Sequence, residues 1–173
     1  MPIPDVEQPA ILPIDGSLHL RRYDGACDFA LPWYRDPDTL WAVNGNRTPY
    51  TPEMLRGMYR WQDEHSELYF IEVRDGDAFR PVGDAAFSRE DMAIVIGEPA
   101  LRRRGIGRRV VQALIRRARV LDFTALRVGE IYSWNEASQR LFTGLGFTED
   151  GDTVRGHSYI LPLRTDVQNK DGD

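Results

Sequence analysis

The sequence predicts an α/β domain built around one core, and three observations carry that expectation. Strand-like runs alternate with segments whose apolar residues recur every three or four positions, as on one face of a helix. A long amphipathic segment separates two β-branched runs, 92–97 and 125–133, which is the layout of a crossover helix between strands. The length of 173 residues suits one domain and would leave two independent cores cramped.

The elements follow in order. Residues 1–16 hold Pro2, Pro4, Pro9 and Pro13 and are expected to form an irregular lead-in. SLHLRRY (17–23) alternates apolar and polar like a half-buried strand. Residues 24–38 are broken by Pro32 and Pro37 but carry Phe29, Ala30, Trp33 and Tyr34, consistent with a short helix and a turn. In 51–65, Thr51 is a suitable N-cap, Pro52 takes the first helical position, and Leu55, Met58 and Tyr59 are apolar. ELYFIEV (67–73) and RPVGDAAFS (80–88) are strand-like and joined by the turn residues Asp75, Gly76 and Asp77. MAIVIGEP (92–99) is a further strand, ended by Gly97 and Pro99. From Gly105 to Phe123 a helix is expected, with Ile106, Val110, Val111, Leu114, Ile115 and Ala118 on one stripe. A strand at 125–133 follows, and then a helix capped by Asn135, with Ala137, Leu141, Phe142 and Leu145 apolar, ending at Gly146. The last strand is 153–163, and the polar 164–173 read as a flexible tail. The plan is a lead-in at 1–16, one domain at 17–163, and the tail, with no internal repeat.

Composition excludes several functions. With 42% hydrophobic and 28% charged residues the chain is globular rather than disordered. No apolar run approaches the roughly 18 residues of a membrane span. The first 16 residues hold Asp5 and Glu7 and lack the basic and apolar regions of a secretory signal. Cys27 is the only cysteine, which rules out an internal disulfide and fits a reducing, cytoplasmic setting; it reads as a small core residue. His19, His65 and His157 are scattered and neither HExxH nor CxxC occurs, so no metal site is expected. Lys170 is the only lysine and lies in the tail, against Schiff-base chemistry, and GxSxG is absent.

The net charge of −5 argues against nucleic acid or an anionic membrane as partner. It hides an asymmetry. Residues 99–121 carry eight arginines and no acid, so this stretch is +8 and the remainder −13. Two readings stand: a localised anion site, or a solvated basic helix face.

The informative stretch is IVIGEPALRRRGIG (94–107), where a strand ends, a loop follows, and Gly105 and Gly107 open a helix. Helix-start amides lack backbone partners and carry the positive end of the dipole, so they suit an anion. The glycines let a ligand approach the main chain, and Arg102, Arg103, Arg104 and Arg108 add charge. A diphosphate is a natural guest. A P-loop needs Lys-Ser/Thr where Arg108 and Arg109 stand, and a dinucleotide fingerprint needs Gly or Ala at Val110.

The pattern Arg102-x-x-Gly105-x-Gly107 resembles the pyrophosphate loop of the GNAT family of N-acetyltransferases. NEASQRLFTGLGF (135–147) resembles that family's later motif, with its asparagine, small residue and Leu145-Gly146-Phe147 ending. The resemblance covers residues 80–163, and is closest to the branch of ribosomal-protein N-terminal and aminoglycoside acetyltransferases. It implies a mixed, mostly antiparallel central sheet of six or seven strands, with a splayed parallel pair at 93–98 and 125–133, and four helices. It implies acetyl-CoA as donor, no metal, and transfer of acetyl directly to a primary amine on a small molecule or a protein N-terminus, by a monomer or homodimer. Carried over by residue, main-chain groups of Val95, Ile96 and Gly97 hold the pantetheine arm. The amides of Arg103, Arg104, Gly105, Ile106, Gly107 and Arg108 cradle the diphosphate. Arg102 and Arg104 touch phosphate, and Asn135 is both helix cap and ligand contact.

For catalysis the resemblance points to Glu130 as base, since related enzymes carry a glutamate five residues before the asparagine. In a half-buried strand its carboxylate would hold a proton more tightly; the other reading is an ion pair with Arg127. Many relatives place a tyrosine acid where this chain has Phe142. Ser138, Tyr132 or water is left to protonate the thiolate; Ser138 also reads as a cofactor contact or an ordinary helix hydroxyl. Arg116, Arg117 and Arg119 read as a solvated face. The N-terminal aromatics Trp33, Tyr34, Trp41, Tyr59 and Trp61 are core or acceptor contacts, and Asp24, Asp28, Asp36 and Asp38 attract a cationic amine or simply make turns. The missing tyrosine keeps a second function open, a non-catalytic acyl-CoA sensor.

Overall fold

The computed structural model describes residues 3–163, so the tail expected at 164–173 lies outside the described residues. The order is β1 (Ile11–Asp15), β2 (Leu18–Arg22), α1 (Pro37–Asn44), α2 (Pro52–His65), β3 (Glu67–Asp75), β4 (Ala78–Phe87), β5 (Met92–Ile96), α3 (Ile106–Val120), β6 (Ala125–Tyr132), α4 (Glu136–Thr143), β7 (Thr148–Asp152) and β8 (Gly156–Pro162). This is the mixed α/β layout with four helices that the sequence implies. The strands, however, form two antiparallel sheets, β1-β2-β3-β4-β5 and β6-β8-β7, rather than one of six or seven.

The two strands that sequence reading passed over are both edges. β1 falls inside the proline-rich lead-in, and an edge strand tolerates Pro13 because its outer side needs no donor. Ahead of it Ile3 is 1% exposed, so the lead-in is tied to the core. β7, Thr-Glu-Asp-Gly-Asp, is exposed at every position and carries no apolar signal.

β3 is central. Its residues Glu67–Glu72 are all buried because helices cover both faces of its sheet. Tyr69 and Ile71 join Val110, Val111 and Leu114 of α3, the stripe the sequence predicts. Leu68 and Phe70 join Leu55 and Tyr59 of α2, with Trp33 and Tyr34 from the turns before α1. Each such side chain is worth about 2 kcal/mol of apolar transfer. The caps follow sequence rules: Thr51 Oγ1 accepts from the Met54 N–H at 3.2 Å. Asp36 caps α1 in the same way, and Pro37, which read as a break, is its first residue.

β5 and β6 lie side by side without pairing. They point the same way. Just before β5, Asp91 Oδ1 accepts from Gly129 N–H of β6 at 2.8 Å. At the other end Ile94, Val95 and Ile96 share a cleft with Asn135 and Ser138, beyond the end of β6. A wedge-shaped gap therefore opens in mid-molecule, with α3 starting at its wide end.

Candidate active site

Gly97 closes β5, and its N–H goes to Val82 O at 2.8 Å rather than to the gap. A Cβ there would overlap the Trp33 indole, so the residue is glycine for packing. Val95 is paired with Asp84, and its carbonyl lies against Gly83, toward β4. Antiparallel alternation then turns the backbone groups of Ile94 and Ile96 into the gap. Of the three residues expected to offer main chain to an acyl arm, Ile96 alone turns its backbone to the gap, and its carbonyl is bonded by Arg102 Nε; Val95 and Gly97 turn theirs to β4.

Arg102, expected to touch phosphate, is bonded to the protein itself. Its guanidinium bonds Ile96 O at 3.0 Å, Gly97 O at 3.3 Å, Asp36 Oδ2 at 3.1 Å and Thr39 Oγ1 at 2.6 Å. It ties the end of β5 to the start of α1 and also lines the cleft at the start of α3. The Thr39 hydroxyl, with Arg102, holds the Asp36 carboxyl below its usual range. Arg117, expected on a solvated face, donates Nε to Glu67 Oε2 at 3.0 Å, and Glu67 is 1% exposed.

Beyond Arg102 the loop is open. Arg103 (φ 60°) and Gly105 (φ 76°) are left-handed and curl the chain onto the start of α3. Among the described residues, none of the amides from Arg103 through Arg108 finds a hydrogen-bond partner. Arg103 and Arg104 are exposed, and Arg108 Nη1 reaches Gly144 O at 3.1 Å. All of residues 103–108 except Arg104 border this cleft of about 740 Å³, lined also by α1, β5 and α4. A Cβ on Gly107 would stand 3.4 Å from Leu141 and 3.8 Å from Ile94, inside that cleft. Ala137 and Leu141, on the apolar face of α4, line the cleft, and Leu141 also packs against the core. The loop and cleft fit a diphosphate with an attached chain.

A chamber of about 320 Å³ adjoins the cleft, sharing Ala42, Val43, Ile94, Val95, Asn135 and Ser138 with it. Asn135 caps α4 by accepting from Ser138 N–H at 3.2 Å, and its Nδ2 donates to Ala42 O at 3.2 Å, so both ends of its amide are engaged by protein. Ser138 Oγ has no hydrogen-bond partner among the described residues and lies at the junction. Phe142 is core, edge-on to Phe147.

Glu130 lines the chamber but is exposed rather than half-buried. Its Oε1 accepts from Thr153 Oγ1 at 2.5 Å and Arg155 N–H at 3.2 Å, where the β6–β8 register slips. Arg127 pairs with Asp150 and not with Glu130. Tyr132 accepts at its hydroxyl from Arg155 Nη2 at 3.0 Å and stacks on Trp134, which stacks on Trp41. That stack joins α1 to β6, a structural use for Tyr132 and Trp41.

Sequence reading missed Asp84. It lies on β4, is 4% exposed, and lines the chamber beside Val95. Its Oδ2 accepts from Tyr34 OH at 2.9 Å and Tyr59 OH at 2.8 Å. Burial pushes its carboxyl up to about 6 against the pull of those two hydroxyls. The available signal was an acid set inside an apolar strand run, RPVGDAAFS.

The model of the acetyltransferase (GNAT) family matches residues 29–147. The chain belongs to that family. It is an acyltransferase, an acetyl-CoA-dependent N-acetyltransferase. Solved structures share the fold. A domain from Methanocaldococcus jannaschii has a TM-score of 0.74 at 21% identity, over 85% of this chain and 99% of that one. A Salmonella typhimurium acetyl transferase that modifies the N-terminal serine of ribosomal protein L7/L12 has a TM-score of 0.70 at 17% identity, over 89% and 99%. A putative acetyltransferase from the same organism, solved with acetyl-CoA, has 0.62 at 21%, over 85% and 94%. No curated protein matches the acetyltransferase by sequence. Among its described residues no helix is long and apolar enough to cross a membrane.

Proposed function

We propose that the acetyltransferase moves acetyl from acetyl-CoA directly to a primary amine, with the donor in the cleft and the amine in the chamber. One observation carries this reading. A run of unpartnered amides borders a cleft that opens, at Val95 and Ser138, onto a chamber holding a buried carboxylate. When bound, acetyl-CoA supplies an acetyl group activated as a thioester. The amides of residues 103–108, with Arg103 and Arg104, hold the diphosphate, and the Ile96 backbone faces the acyl arm.

An alkylamine is mostly protonated at pH 7, so the site must take a proton before the nitrogen attacks. The expected base was Glu130. Asp84 suits the role better: it is buried beside Val95, with a proton affinity near neutrality and two tyrosines fixing it. Asp84 takes one proton from the ammonium before attack and later gives it to solvent. As the C–N bond forms and the C–S bond breaks, Ser138 Oγ, at the junction, passes its proton to the leaving sulfur and takes the second nitrogen proton in exchange. A cytoplasmic location agrees with the lone Cys27.

Calorimetry with coenzyme A, wild type against Gly107→Trp, tests the placement. The indole enters the cleft between Leu141 and Ile94, and affinity should fall at least a hundredfold. Unchanged affinity in a folded variant puts the donor elsewhere. Tight binding in the wild type without turnover on any amine favours the acyl-CoA sensor.

A further inference from the structure

The chamber's charges exceed what removal of one proton requires. Three carboxylates line it, Asp84, Asp91 and Glu130, and no arginine or lysine does. None of the three forms an ion pair among the described residues. Each is held by one oxygen, leaving the other without a partner. Asp84 Oδ2 takes both tyrosine hydroxyls. Asp91 Oδ1 accepts from Gly129 N–H at 2.8 Å and Met92 N–H at 2.9 Å. Glu130 Oε1 takes Thr153 and the Arg155 amide. On the α2 wall, the Gln62 Oε1 atom is buried and has no hydrogen-bond partner. Asp84, 4% exposed with one oxygen free of protein partners, and Gln62 both present acceptors that an occupant with N–H groups can satisfy. Among the described residues no three His, Cys, Asp or Glu side chains are grouped as metal ligands.

The acids are not clustered. Asp84 is level with Val95, where chamber meets cleft. Asp91 and Glu130 are at the narrow end, joined through Gly129. A strand rise of about 3.3 Å per residue separates Asp91 from Val95 by about 13 Å along β5. The lining is mixed: Met58, Ile94, Val128 and Ile131 give apolar surface beside the polar Tyr34, Asn44, Gln62 and Tyr132.

Resting on the acetyl-transfer reading, we infer that the acceptor is a small amine with a second positive charge at its far end, an α,ω-diamine or its like. The reacting nitrogen meets Asp84, the methylenes lie on the apolar surface, and the second ammonium meets Asp91 and Glu130. Gln62 accepts an N–H from it.

The test compares 1,5-diaminopentane, 1-aminopentane and a lysine-free peptide with a free N-terminus. Calorimetry on the protein, alone and saturated with coenzyme A, reads binding; thiol release from acetyl-CoA reads KM. The diamine should bind at least tenfold more tightly than the monoamine, with KM lower to match. In Asp91→Asn/Glu130→Gln the amide oxygens still accept the local N–H and O–H bonds while both charges are gone, and the tenfold gap should close. Equal binding of diamine and monoamine, an unchanged gap in the double variant, or preference for the peptide overturns the inference. Tight, charge-dependent diamine binding with no thiol release on any amine leaves the diamine site standing and overturns its use as the acetyl acceptor.

Discussion

The cleft and the chamber share a wall and have opposite charge built by opposite means. The cleft is positive through main-chain amides at a helix start and exposed arginines, so its field depends on where the backbone turns. The chamber is negative through three side chains from β4, the loop before β5, and β6, each fixed by a different partner. A backbone site needs only a few glycines and a helix, and leaves a compact signature in the sequence. A side-chain site assembled from distant segments leaves none.

The sharpest way to break the contrast is Asp84→Asn. Removal of a base costs about a hundredfold or more in turnover. Affinity for coenzyme A, read by calorimetry, should not move. A loss of affinity equal to the loss of rate would tie Asp84 to the cleft instead of the chamber.

The same residue gives the protein a pH dependence of definite sign. The carboxyl holds its proton to about 6 in the fold and to 3.8 without it. Between those values the native state binds the extra proton. The stabilisation is complete below 3.8 and is lost as pH rises through 6, about 3 kcal/mol in all. Denaturant titrations at pH 4 and pH 7 should show the fall in wild type, on top of the background of other groups. Asp84→Asn should lack it and be at least as stable at pH 7, because the amide removes a buried charge while Tyr34 and Tyr59 keep an acceptor. A destabilised Asp84→Asn would mean that the charge serves the core.

The arginines sharpen the cleft's side of the comparison. Arg102→Ala strands Ile96 O and Asp36 and should cost about 2 kcal/mol of stability in urea, with activity falling as β5 loosens. Arg104→Ala, on an exposed side chain, should leave stability alone and weaken coenzyme A binding about threefold, less at high salt. Equal stability losses in the two would contradict the division between an inner tie and an outer contact.

Much of the fold was legible because its signals are local. The α3 stripe, the Thr51 and Asn135 caps, and the β5 run each depend on residues within a few positions of one another. β1 and β7 were not, because edge strands need neither continuous apolarity nor freedom from proline. The helix start at Gly105 and Gly107 was legible for the same local reason. Arg102 was not, because its partners Asp36 and Thr39 lie more than 60 residues away. The burial of Asp84 and the exposure of Glu130 were not legible for one cause: strand patterns tell which side chains alternate, and not which face a second layer will cover.

Taken alone, the sequence determined that a helix begins with two glycines after a β-branched strand, and hence that its free amides can receive an anion. Tertiary structure decided which arginine turns inward, which carboxylate is buried, and that β5 and β6 stay apart. Those outcomes depend on what packs against each group across the chain, and desolvation belongs to the packed surroundings, not to the residue.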